Sequence, residues 1–110
     1  MDPFVIVRMT ASGCSYCQEL DKIWGEIQRR SPGVEFIDVS FGSKSAAVFD
    51  ARRYPSGLLD ELKGFPTILK IKKSSWDRAM RTTREKIALD GKKYSGARTA
   101  DLLVDWIARG

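Results

Sequence analysis

The sequence predicts an α/β fold built on a central four-stranded mixed sheet, with helices on both faces and the element order β-α-β-α-β-β-α. Two observations support this prediction. Short runs rich in β-branched and aromatic residues alternate with stretches in which apolar residues recur at three- and four-residue steps. The first half of the order is a parallel βαβ unit, and the second half is a hairpin covered by a helix. A chain of 110 residues has the length of one domain, so we expect a single domain spanning residues 1–110.

The first half of the chain contains the most regular elements. Residues 4–7 form a continuous apolar run, which favours a strand buried on both faces. Residues 15–30 carry apolar side chains at the spacing of an amphipathic helix, and the Ser-Pro-Gly sequence at 31–33 should end it. Residues 34–39 are rich in β-forming side chains and predict the second strand.

The middle of the chain has a weaker pattern. Residues 46–49 favour a helix that Pro55 and Gly57 interrupt, with a further helical turn at 58–62. Residues 67–72 then predict the third strand because β-branched side chains return there.

The last third predicts a hairpin strand and a closing helix. Residues 74–84 form a basic connection. After it, residues 86–89 predict the fourth strand, and residues 92–94 could form a further part of that strand. Thr99 is a good N-cap for a helix that ends near Gly110. That helix has one apolar face, formed by Leu102, Leu103, Trp106 and Ile107.

The composition excludes several kinds of site. The chain has no histidine, which excludes Ser–His and Cys–His catalysis and every histidine-based metal site. Its two cysteines are too few for a tetrahedral zinc site, so we expect no metal and no other cofactor. No apolar run approaches the ~18 residues of a membrane span, so we expect that the chain is not an integral membrane protein. The N-terminus lacks a secretory signal pattern, which predicts a cytoplasmic protein unless a signal was removed before this numbering begins.

The positive charge is concentrated in one stretch. The net charge is +5, and between Lys70 and Lys93 nine basic residues stand against three acids. A basic patch can attract nucleic acid or acidic partners. A solvated strand edge and loop is the simpler interpretation, because edge strands are commonly protected by lysines. The stretch has few aromatic residues besides Trp76 and Tyr94, so we do not expect a nucleic-acid partner.

The strongest motif is Cys14-Ser15-Tyr16-Cys17, at the point where the first strand ends and the first helix begins. A CxxC in this βα context is typical of a redox pair, although two incidental buried cysteines are the alternative. At a helix N-terminus the amides and the helix dipole favour the thiolate of Cys14. Cys17 lies one turn later and is suited to resolve a mixed disulfide on Cys14. Before the third strand, Pro66 either holds a cis peptide bond beside this pair or is an ordinary proline at the start of a strand.

Three segments, taken in order, resemble the thioredoxin superfamily, and most closely the catalytic domains of protein disulfide isomerase. They are residues 14–24, residues 63–67, and residues 94–99 with the closing helix. The resemblance implies a thioredoxin-like fold over nearly the whole chain. It also implies that Pro66 is cis and contacts substrate, together with Phe65 and Tyr16. An arginine at the position of Arg98 is expected to set the reactivity of Cys17.

Some residues depart from the pattern of that family. Gly13 replaces a tryptophan, which should leave Cys14 less covered, and Ser15-Tyr16 is nearer the glutaredoxin pair Pro-Tyr. Arg8 stands where the family has a buried acid. Because a buried unpaired cation is very costly, Arg8 must reach solvent or a carboxylate, and it cannot accept a proton from Cys17.

These observations predict a monomeric thiol–disulfide oxidoreductase that acts on protein dithiols and disulfides through Cys14 and Cys17. One alternative is a glutaredoxin-like thioltransferase that uses glutathione, suggested by Tyr16 and the short segment before the first strand. The other alternative is a non-catalytic binding module that keeps the fold and uses the basic stretch.

Overall fold

The computed structural model describes residues 3–42, 52–82 and 85–109, which form one mixed four-stranded sheet with helices packed against it. The strand order is β2-β1-β3-β4, with β1 and β2 parallel and β3 antiparallel to both of its neighbours. This confirms the predicted α/β class and the mixed sheet. The strands are β1 (Phe4–Ala11), β2 (Glu35–Phe41), β3 (Thr67–Lys72) and β4 (Gly91–Lys93).

Four helices accompany these strands: α1 (Ser15–Arg29), α2 (Leu58–Glu61), α3 (Lys73–Arg81) and α4 (Ala100–Ala108). The crossover through α1 is what allows β1 and β2 to pair in parallel. The hydroxyl of Thr99 accepts a hydrogen bond from the Leu102 amide at 3.3 Å, which confirms the predicted N-cap of the closing helix. Among the described ranges, no helix combines the length and the apolar character that crossing a bilayer requires.

The core consists of two apolar clusters on opposite faces of the sheet. In β1, Val5, Val7 and Met9 belong to the first cluster, and Ile6 belongs to the second. This alternation confirms that the strand is buried on both faces. Cys14 and Cys17 lie in the first cluster, together with the buried Trp76 and Leu58. The second cluster joins α1 to α4 through Leu20, Trp24, Ile27, Leu103 and Ile107.

The fourth strand overlaps the predicted addition at 92–94, and the main prediction at 86–89 is wrong. Residues 86–89 are not a strand; they run beside α2, where Lys86 pairs with Asp60 at 3.1 Å. Pairing with β3 begins at Gly91, opposite Ile71. A side chain at Gly91 would collide with the carbonyl oxygen of Lys70, so glycine permits the close approach of the two strands.

Helix α3 (73–81) occupies most of the stretch at 74–84 that the sequence predicts to be a basic connection. Only two of its nine residues, Trp76 and Ala79, are buried, so the apolar pattern is short. Trp76 is 4% exposed and packs into the first cluster. The helix therefore forms because it covers a sheet face, which a sequence pattern of this length cannot indicate. The helix predicted at 46–49 lies outside the described residues.

The basic residues of this stretch have different surroundings. Lys70 is buried, and Arg84 lies outside the described residues. Three other lysines of the stretch form ion pairs: Lys72 with Asp90, Lys73 with Glu35 and Asp77, and Lys86 with Asp60.

Lys70 is a lysine inside the second face of the sheet, 8% exposed. Its ammonium donates a hydrogen bond to the carbonyl oxygen of Trp106 and lies 4.6 Å from the centroid of that ring and 5.2 Å from the Phe4 ring. Aromatic faces and one carbonyl thus replace the water that the charge loses. Burial lowers the pKa of Lys70 below its ordinary value, and the nearby charge of Lys92 lowers it further.

We expect the stability of the parent protein to rise relative to Lys70→Met as the pH increases toward the ordinary lysine pKa. With the pKa lowered in the folded state, the unfolded chain binds more protons in this window, so rising pH favours folding of the parent. Urea denaturation of both proteins across this range measures the difference. Parallel pH profiles would contradict the desolvation of Lys70.

Replacing Trp76 by alanine should lower the free energy of unfolding by about 3–5 kcal/mol, because a large side chain in the first cluster is removed. Met80 lies on the same helix but is 39% exposed, so Met80→Ala is the matched control and should change stability by less than about 0.5 kcal/mol. Chemical denaturation measures both values. Equal small effects would mean that α3 does not cover the sheet.

Candidate active site

Cys14 and Cys17 form a disulfide at the start of α1, with their Cα atoms 5.2 Å apart. Cys14 is the N-cap residue, and its Sγ accepts a hydrogen bond of 3.1 Å from the amide of Cys17. Three residues of helical spacing bring the two side chains to the same side of the first turn. The sulfur of Cys14 therefore takes the role that a capping oxygen usually has.

The surroundings of Cys14 favour a negative sulfur when the disulfide is reduced. The first turn of the 15-residue helix α1 contains no acidic residue. Its free amides and its dipole stabilise negative charge at this end. A thiolate at Cys14 is therefore supported by the backbone of the helix, without a histidine or a metal.

Both cysteines are only 3% exposed in the disulfide form. The expectation that Gly13 leaves Cys14 less covered is therefore wrong for this state. The two cysteines therefore do not differ in exposure. They differ in position, because Cys14 is the N-cap of α1 and Cys17 lies within the helix. Gly13 has another role: its φ of 73° lies in the left-handed region, which lets the chain turn from β1 into α1.

The segment before β3 lies against the same cluster as the disulfide. The peptide bond between Phe65 and Pro66 is cis, which confirms the conformation implied by the resemblance. The Phe65 ring packs 5.1 Å from the Phe41 ring on the cluster that contains both cysteines. The hydroxyl of Thr67 donates a hydrogen bond to the carbonyl of Gly64 and closes the turn. Contact of Phe65 and Pro66 with substrate stays a prediction.

Tyr16 and Arg98 form a stacked pair beside the disulfide. The Tyr16 side chain, between the two cysteines, is 64% exposed. The guanidinium carbon of Arg98 lies 5.2 Å from the centroid of its ring. The structure thus places Arg98 on Tyr16, and an effect of Arg98 on Cys17 stays a prediction. Binding of substrate by Tyr16 also stays a prediction.

The turn that carries Arg98 is fixed by Tyr94. The Tyr94 hydroxyl donates a hydrogen bond to the carbonyl of Ala97, and its ring packs 5.2 Å from the ring of Trp106. A side chain at Gly96 would lie 3.0 Å from the Tyr94 hydroxyl, so the tight turn favours glycine. Arg98 is therefore held near α1 by packing against α4.

Arg8 has the carboxylate partners that its burial requires. Its Nε and Nη2 both donate to Asp38 at 3.0 Å, and its Nη1 donates to Asp21 at 2.6 Å. Its guanidinium lies 4.6 Å from the centroid of the Trp24 ring. The expectation that Arg8 finds a carboxylate is confirmed. The sequence did not identify these partners, because Asp38 becomes the neighbour of Arg8 only through the β1–β2 register.

Two solved structures align with this chain over nearly its whole length. The J-Trx1 fragment of ERdj5 aligns with a TM-score of 0.66 and 16% identity, over 98% of this chain and 43% of that one. The zinc-bound form of human ERp44 aligns with a TM-score of 0.60 and 19% identity, over 98% of this chain and 26% of that one. The chain has a thioredoxin-like fold. It spans less than half the length of either structure, and no family model and no curated protein matches its sequence.

The thioredoxin-like fold places the cysteine pair at the end of its central strand, where β1 turns into α1. Within the described part of the chain, no group of three or more cysteine, aspartate or glutamate side chains is suited to hold a metal ion. The reactive groups that the structure places at this site are two sulfurs, which can form and break a disulfide.

Replacing Arg8 by methionine should lower the free energy of unfolding by about 1–3 kcal/mol, because a buried charged hydrogen-bond network is lost. Asp21 and Asp38 are about half exposed, so water can solvate them in the variant. Arg109→Met is the control: this arginine is 77% exposed and pairs with Asp105, so its loss should cost less than about 1 kcal/mol. Equal losses in urea denaturation would contradict a structural role of the Arg8 network.

Proposed function

We propose that the protein is a thiol–disulfide oxidoreductase that exchanges disulfides with protein substrates. The observation that supports this most strongly is the Cys14–Cys17 disulfide at the N-terminus of α1 in a thioredoxin-like fold. Two incidental core cysteines would not need to share a helix cap. We extend the proposal to isomerase activity, in which the same pair attacks and re-forms disulfides of a substrate that has misfolded.

The proposed reaction begins with the reduced protein. The thiolate of Cys14 attacks one sulfur of a substrate disulfide, and the substrate S–S bond breaks. The leaving sulfur departs as a thiolate and takes a proton from water, while the other stays bound to Cys14 as a mixed disulfide. Cys17 then loses its proton and attacks Cys14 Sγ, which releases the second substrate sulfur. In total, a substrate disulfide becomes a dithiol and the protein dithiol becomes the disulfide seen here.

The reverse sequence of steps oxidises a substrate dithiol and reduces the Cys14–Cys17 disulfide. No cofactor enters either direction, because both electrons move with the sulfur–sulfur bonds. The direction in a cell therefore depends on the potential of the pair relative to its partners. Arg8 cannot accept a proton in these steps, because its guanidinium is already protonated. The proton of Cys17 therefore goes to water or to another group.

The structure suggests different effects for the two cysteines. Cys14→Ser should abolish reduction of insulin, because the group that attacks the substrate is lost. Cys17→Ser should accumulate a mixed disulfide between Cys14 and substrate, because nothing resolves it. Turnover assays and mass spectrometry of the trapped species measure the two outcomes. A Cys14→Ser protein that reduces insulin at the parent rate would refute the proposal.

The glutathione-dependent alternative is tested in the same assay. Tyr16 is an exposed ring beside the cysteines, which is the observation in its favour. Rapid reduction of a small glutathione mixed disulfide, with little activity on insulin, would favour that alternative. Activity on insulin that needs no glutathione would favour exchange with proteins.

A further inference from the structure

Three segments surround the cysteine pair, and we call them the rim: residues 12–17, 63–67 and 94–99. The first contains the disulfide. The second brings Phe65 onto the cluster that contains both cysteines. The third brings Arg98 onto the ring of Tyr16. A substrate that presents a disulfide to Cys14 therefore passes over residues of the rim.

The rim carries positive charge alone. Its residues include two cations, Lys63 and Arg98, and no aspartate or glutamate. Lys63 and Arg98 are both exposed. Neither forms an ion pair with any residue that the structure describes. The start of α1 adds the positive end of a helix dipole to this charge.

The acids near the rim on α1 and at the start of α4 are paired with cations, whereas Glu61, at the end of α2, lies two residues before Lys63. Glu19 pairs with Lys22 at 3.0 Å. Asp21 pairs with Arg8 at 2.6 Å. Asp101 pairs with Arg30 at 2.8 Å. Arg98 thus keeps its charge available, and a negative group that approaches the disulfide meets no unpaired acid on α1 or at the start of α4.

Arg98 is suited to contact a carboxylate. Stacking on Tyr16 limits the orientations of the guanidinium, so less side-chain entropy is lost when it binds. Its N–H groups are free to donate, and a guanidinium binds a carboxylate with two parallel hydrogen bonds. Tyr16 lies between the cysteines, so a carboxylate held here would belong to a residue near the substrate sulfur.

We propose that the rim selects disulfides whose neighbouring residues carry carboxylates, with Arg98 on Tyr16 as the contact and Lys63 as a second cation. The preferred substrate is thus an acidic protein segment around a cystine. This inference rests on the proposed function, because it concerns the substrates of that same cysteine pair.

The test uses three synthetic peptides that each close one internal disulfide. They differ only in the residue beside the attacked cysteine, which is Asp, Asn or Lys. The reduced 110-residue protein reacts with each peptide, and every rate is divided by the rate of the same peptide with dithiothreitol. This ratio removes the effect of the neighbour on the intrinsic reactivity of the disulfide.

The normalised rates should fall in the order Asp, Asn, Lys. One exposed ion pair is worth up to about 1 kcal/mol, so Asp should exceed Asn by up to about fivefold. The preference should shrink in high salt, because exposed charges are screened. Equal normalised rates for the three peptides would overturn the inference and leave the proposed function intact.

Variants of the two rim cations show which of them produces the preference for Asp over Asn. Arg98→Gln and Lys63→Gln should each reduce the ratio of Asp to Asn rates, and Arg98→Lys should retain part of it. Arg78→Gln is the matched control, because it removes one exposed arginine on α3, outside the rim. A preference that persists when both rim cations are replaced would overturn the assignment. No exchange with any peptide, or exchange with a glutathione mixed disulfide alone, would refute the proposed function and this inference with it.

Discussion

The arrangement of the molecule depends on the burial of β1 on both faces. This strand pairs in parallel with β2 and antiparallel with β3, and its side chains alternate between the two apolar clusters. The turn at its end is therefore fixed from both sides, and that turn carries Cys14. The same burial explains Arg8, because a cation inside a buried strand must be paired. Its contacts with Asp21 and Asp38 connect α1 and β2 to the central strand.

The helix end that supports the cysteine pair and the side chains that surround it come from different parts of the fold. The backbone of α1 supplies the amides that favour a thiolate at Cys14. Two distant segments supply the surroundings: the turn before β3 brings Phe65 and the cis Pro66, and the turn before α4 brings Arg98. Both turns are far in sequence from the start of α1, so only the tertiary fold brings their side chains to the cysteine pair.

The second half of the chain shows how packing determines elements that are weak in sequence. Helix α3 contributes Trp76 to the first cluster and also buries Ala79. The stretch after it follows α2 and reaches the sheet only at Gly91, where the absence of a side chain lets two strands approach. Three of the nine basic residues of this region, Lys72, Lys73 and Lys86, form ion pairs with acids of the chain itself.

Sequence patterns were sufficient to predict the elements that are long or chemically distinctive. Helical spacing predicted α1, the apolar run predicted the buried start of β1, and Thr99 predicted the cap of α4. The Cys14–Cys17 spacing at a strand-to-helix junction predicted the disulfide, and a motif resemblance predicted the cis bond at Pro66.

Tertiary structure decided the rest. The register of β1 and β2 selected Asp38 as a partner of Arg8, and packing on the sheet made a helix of residues 73–81. The stacking of Arg98 on Tyr16 joins positions that are far apart in the chain. Local patterns report what neighbours along the chain favour, whereas these contacts arise only when separate elements bury surface against each other.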